Sequence, residues 1–173
     1  MKIGKGILEL GILGLNNNRT NEKISVTDLG RLARQTLSFE PLSQIFTVSD
    51  MRTRTISKNN GISDYWRKLD EEIELIKQGK NPDTIAVIDS TGENIYEPGT
   101  KLIHSKPVPK IFAHEIGHAL GLKHPIDRCN YLGCVEYIEE CPYSRELMGC
   151  GLHSLGINGF SERDTTKLRG LLN

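Results

Sequence analysis

The run AHEIGHALGLKH places His114, Glu115, His118, Gly121 and His124 in the order H-E-x-x-H-x-x-G-x-x-H. Residues four apart on a helix lie on one face, so His114 and His118 can each offer one nitrogen to a single ion. Glu115 follows the first of these, which brings its carboxylate beside that face as a proton acceptor rather than a further ligand. Gly121 stands where a helix that must stop and double back needs a left-handed residue, and glycine takes that conformation without steric cost. The turn can then return His124 as a third ligand.

Three neutral imidazoles with a fourth position open is the pattern of a catalytic zinc site, whereas structural sites are closed by four protein ligands and are often rich in cysteine. Zinc lowers the pKa of a bound water to about 7 and polarises a carbonyl, so the chemistry expected is hydrolysis, with Glu115 as general base. One catalytic Zn2+ is the cofactor expected. A rival ligand set takes its third member from a downstream carboxylate, for which Glu136, Glu139 or Glu140 would serve, but His124 already stands at the motif position.

The extended three-histidine motif, followed downstream by Met148 in SRELMGCG, resembles the metzincin metallopeptidases. The resemblance implies that Met148 sits in a tight turn, forming an apolar floor beneath the ligands without binding the metal. It also implies that Gly149, Cys150, Gly151 and His153 wall a substrate pocket, and that an edge strand, best matched by Lys101, Leu102, Ile103 and His104, pairs with an extended peptide or protein substrate. Some metzincins carry a tyrosine two positions after the methionine; here Cys150 stands there, so no transition-state help from that side chain is expected. The closing stretch FSERDTTKLRGLLN, with Ser161 and Asp164 as a capping pair and Leu168, Leu171 and Leu172 at helical spacing, is most similar to the matrixin branch. Motif resemblance runs from Ile111 onward.

Several elements must position these residues. Lys2 to Leu13 suits a first strand. Thr27 or Ser25 can cap a helix from Asp28 to Phe39, stopped by Pro41. Ser43 to Ser49 reads as a second strand, and Ser63 to Gln78 as a helix docking Tyr65, Trp66, Leu69, Ile73 and Ile76. Thr84 to Asp89 is a buried strand, Ser57 to Ser63 a solvated loop, and Pro107 and Pro109 begin the motif helix. The fold class expected is α+β, a metzincin-like zincin: a mixed twisted sheet with packed helices, then a small irregular part with a final helix. Residues 1 to 173 are expected to form one catalytic domain, its upper part about 1–121 and its lower part about 122–173.

Lysine plus arginine and aspartate plus glutamate are equal at 22 each, with no long run of either sign, so nothing electrostatic points to nucleic acid or a membrane surface. No stretch approaches the length of an apolar membrane span, and a monomer is expected. The first residues, MKIGKGILELGILGL, are interrupted by Glu9 and lack a small-residue cleavage site, so they read as fold rather than leader.

Cys129, Cys134, Cys141 and Cys150 cluster between His124 and the far side of Met148. Two disulfides, and with them a secreted or otherwise extracytoplasmic setting, are expected, with pairing open. A four-thiolate second zinc or reduced thiols in a cytoplasmic enzyme are the alternatives. No cysteine-bearing inhibitory segment precedes the motif, so any latency is expected to come from outside this sequence. The function expected is a zinc-dependent endopeptidase. The alternatives are a zinc-holding module that only grips a partner, and a peptidase narrow for one short peptide.

Overall fold

The computed structural model describes residues 6–16, 23–56, 62–89, 102–124, 146–149 and 159–172. Their elements follow in the order β1 (Leu8–Asn16), α1 (Val26–Leu37), α2 (Leu42–Ile45), β2 (Phe46–Thr55), α3 (Ile62–Gly79), β3 (Thr84–Asp89), β4 (Leu102–Ser105), α4 (Pro109–Ala119) and α5 (Glu162–Arg169), closed by a 3-10 turn at Gly170–Leu172. The class is mixed α+β.

The strands form one sheet in the order β2-β1-β3-β4, every neighbouring pair parallel. The sequence reading expects a mixed sheet; among the described residues no strand runs the other way. Helix α1 carries the chain from β1 to β2 and α3 carries it from β2 to β3, and a crossover of that length returns each strand in the same direction. β1 is sandwiched between two partners and covered on both faces, which explains its nearly continuous apolar run.

Alternation along the strands feeds two cores. Leu10, Ile12, Ala86, Ile88 and Ile103 point to the face covered by α1 and α4, together with Leu147, Met148 and Leu168. Leu13, Leu15, Ile85 and Val87 point to the other, where Tyr65, Leu69, Ile73 and Ile76 of α3 cover them. Each fully buried large apolar side chain contributes about 1.5–3 kcal/mol. Trp66, expected to dock with its neighbours, lies one position off the α3 stripe and is 40% exposed, its ring edge-on to that of His104 with centroids 5.7 Å apart.

Element boundaries depart from the sequence reading in three places. β1 starts later and runs on to Asn16, whose carbonyl accepts from the Ile56 amide and whose side chain bonds both backbone groups of Ile24, at 2.6 and 3.0 Å. α1 starts and ends two residues earlier than expected, and of the two caps the sequence offers it uses Ser25, in a reciprocal capping box with Asp28. The second strand expected at Ser43 to Ser49 divides into one helical turn and a strand extending to Thr55. Its outer half carries Asp50, Arg52 and Arg54, polar residues that suit an edge strand. Arg54 meets Glu72 of α3 at 2.9 Å, and Arg52 pairs with Asp50.

β4 is the opposite edge, paired with β3 alone among the described residues. Lys101, the four cysteines, Gly151, His153, Glu136, Glu139 and Glu140 lie outside the described residues, and so does most of the Ser57 to Ser63 loop. No helix among the described residues is long and apolar enough to cross a membrane.

Candidate metal centre

Helix α4 starts with Pro109 at its first position, where the missing N–H costs nothing. Phe112, Ala113 and Ile116 bury one side of it in the larger core. At its end the Leu122 amide donates to the Gly117 carbonyl and the Gly121 amide to the His118 carbonyl, both at 2.9 Å, with Gly121 at φ +82°. That pair of bonds around a left-handed glycine is a Schellman motif. It turns the chain so that His124 faces back toward the helix.

The three imidazoles of the motif converge. Nε2 of His118 lies 3.0 Å from Nε2 of His114 and 3.1 Å from Nε2 of His124, and one ligand atom from each residue fits within a 4.8 Å span. The opposite nitrogens fix the tautomers. Nδ1 of His114 is 2.7 Å from the Leu147 carbonyl, Nδ1 of His118 is 3.1 Å from that of Leu122, and Nδ1 of His124 is 3.1 Å from that of Met148. A carbonyl only accepts, so each Nδ1 donates its proton outward and each neutral ring turns a bare Nε2 lone pair inward.

The His118 lone pair, about 3 Å from those of His114 and His124, is repelled by both unless a cation sits among them, so these contacts are not hydrogen bonds between rings. The spacing suits one ion: a tetrahedral zinc with bonds of about 2.1 Å sets its nitrogens roughly 3.4 Å apart. Burial holds His118 below the ordinary histidine value, opposed by the Leu122 carbonyl and reinforced by His124, which favours the neutral ring that ligation requires. These three residues could hold a metal ion. Exposure rises from buried His114 through His118 to exposed His124, so the open side of the cluster lies by His124.

Glu115 is 6% exposed, and burial pushes its carboxyl up to about 7. A carboxyl that exchanges its proton near neutral pH suits general acid and base work.

Met148 is fully buried in the turn Glu146–Gly149, closed by the Gly149 amide donating to the Glu146 carbonyl at 2.9 Å. Glu146 bridges to Gly159, and the Leu147 amide donates to the Gly159 carbonyl at 2.8 Å. The turn thus supplies the carbonyls that orient two of the three histidines, those of Leu147 and Met148. Outer partners of this kind set ring orientation in metal sites.

The sequence reading passes over Gly117. A Cβ there would stand 2.5 Å from Met148 Sδ and 3.2 Å from Phe160 Cε1, so the bare backbone is what lets the turn pack against the helix. A glycine inside a helix costs about 1 kcal/mol relative to alanine, and that cost was a readable signal of close approach. Gly117→Ala is expected to displace Met148 and weaken metal binding at the histidine cluster by about tenfold, at the low end of outer-partner effects. Its helix-propensity gain of about 1 kcal/mol offsets much of the crowding, so the melting temperature should move little. Chelator competition and a thermal melt check the two halves separately.

Gly121→Ala makes a different prediction, because nothing lies within 4 Å of a Cβ there. Its cost is conformational alone, about 1–2 kcal/mol of stability read by denaturant melts, with His124 turned away from its partners.

The candidate edge strand contributes no side chain to the histidine cluster. Ile103 is buried in the larger core, while His104 meets Trp66 on the α3 side of the sheet and takes no part in the histidine cluster. Leu102 packs against the α3 core. Of the proposed pocket wall only Gly149 is among the described residues, as the last residue of the methionine turn. The carbonyls of Leu122 and Leu147 carry no side-chain signal, and reading residue types alone could not have found them. No family model matches the chain, and no curated protein matches it.

Proposed function

We propose that the chain is a zinc-dependent endopeptidase of metzincin type. The observation that carries this reading is the convergence of three Nε2 lone pairs, each ring locked by a backbone carbonyl, beside a buried carboxyl that ionises near neutral pH.

His114, His118 and His124 would hold the zinc ion, which would supply Lewis-acid polarisation of the scissile carbonyl and an acidified water. Glu115 takes the proton from that water as it attacks the carbonyl carbon. The same carboxyl then gives its proton to the leaving nitrogen as the C–N bond breaks. The carbonyls of Leu147, Leu122 and Met148 hold the rings in place throughout, and the buried turn beneath them keeps the floor apolar. An extended substrate reaches the cluster from the exposed His124 side, and the outer edge of β4, which has no strand partner among the described residues, offers it backbone pairing.

The test joins elemental analysis to cleavage of a denatured protein and of short peptides, each with and without a chelator. About one zinc per chain, with cleavage lost to the chelator and restored by zinc, supports the reading. Cleavage that persists in chelator overturns it. Zinc without cleavage of either substrate identifies a gripping module, and cleavage of short peptides alone identifies a narrow peptidase.

A further inference from the structure

We infer that α5 is a clamp on the metal centre and that Lys167 is a positioning residue for His124. The inference rests on the three-histidine metal reading above.

Buried Leu122 and the two closing backbone bonds anchor the start of the turn that aims His124. Beyond them, among the described residues nothing lies within 4 Å of where a Cβ of Gly121 would stand, and His124 is exposed with its ring held by the Met148 carbonyl. The carbonyl of Gly121 receives Lys167 Nζ at 2.9 Å, across 46 residues of sequence. A cation at the carbonyl end of a helix is favourable both as a donor and against the helix dipole.

Helix α5 is itself held independently of this contact. Leu168 is fully buried in the larger core, and Ser161 caps the helix by accepting from the Asp164 amide. The Gly159 carbonyl accepts from Leu147, and Phe160 lies over Gly117. One unit, Gly159–Arg169, therefore reaches the metal centre twice: through the turn that orients His114 and His124, and through Lys167 to the turn that carries His124. From that anchored helix Lys167 acts as a strut.

The sign of the charge effect makes the idea testable. Removing a positive charge near a cation site by itself tightens cation binding, because like charges repel. Loss of a strut does the opposite.

Zinc affinity would be measured by competition with a chromophoric chelator for the wild-type chain, Lys167→Met, Lys167→Arg and Arg169→Met, the last removing an exposed cation from the same helix. Lys167→Met is expected to bind zinc about two- to fivefold more weakly, the range a cation at a helix end supports. Its cobalt-substituted form is expected to show an altered visible band, while the metal-free melting temperature stays within error. Lys167→Arg, which keeps a cationic donor, is expected to recover the affinity, and Arg169→Met to bind as tightly as wild type or slightly more so. Unchanged or tighter zinc binding in Lys167→Met, or an equal loss in Arg169→Met, overturns the clamp and leaves the metal centre standing. A wild-type chain that takes up no zinc overturns both.

Discussion

Glu115→Ala is expected to keep its zinc and its fold while kcat/KM for peptide cleavage falls by about 10²–10⁴, the usual contribution of a positioned acid or base. The motif sets this carboxylate next to His114 in sequence, and the three histidines could supply a metal ion with its nitrogens without it. Zinc content, circular dichroism and single-turnover cleavage measured on one preparation are the check. An active Glu115→Ala chain sinks the mechanism, and a folded but zinc-free one makes Glu115 a ligand.

The buried carboxyl adds a pH signature in the metal-free chain. Its folded value is about 7 against an ordinary 4.5, so between those values the unfolded state ionises while the folded state stays protonated. The contribution of Glu115 to stability therefore falls as pH rises from 4.5 to 7 and levels off above. Glu115→Gln removes that dependence, and its melting temperature should match wild type near pH 4.5 and exceed it near pH 7.5. A gap that runs the other way contradicts the assignment of burial as the cause.

His124→Ala carries the second large effect. If the roughly 10–16 kcal/mol that a structural zinc site contributes is shared among four ligands, losing one costs about 3 kcal/mol, or on the order of 10²-fold in affinity. Because His124 is exposed, the substitution should leave the apo melting temperature nearly unchanged, so weak binding cannot be blamed on unfolding. Glu136→Ala, Glu139→Ala and Glu140→Ala are expected to bind zinc as wild type does. If a glutamate proves essential for zinc and His124 does not, the metzincin assignment fails.

The candidate ligand set was legible because its chemistry is written in residue types at fixed spacing: the histidines, the carboxylate and the turn glycine are each one particular residue type. The sheet was partly legible for the same reason. Thr84 to Asp89 is apolar because both its faces are covered, and the structure confirms that strand residue for residue. Strand direction was not readable, since it depends on which face each connection crosses. The outer half of β2 was missed because Asp50, Arg52 and Arg54 face the margin of the sheet, where charge is tolerated and the apolar signal fades. Trp66 was misplaced by one position on its helix, a rotation of about 100° that periodicity reads poorly at the border of a stripe. Gly117 and Lys167 were missed because their roles lie in contacts across long stretches of chain.

The backbone partners of the three histidines bear on how such a chain can change over generations. A carboxylate partner ties ring orientation to one residue type, so replacing that residue breaks the site. The carbonyls of Leu122, Leu147 and Met148 belong to every amino acid alike. Any replacement that keeps the local backbone path and fills a similar volume leaves the rings aimed as before. Drift in residue identity around the cluster therefore carries little penalty for the chelating geometry.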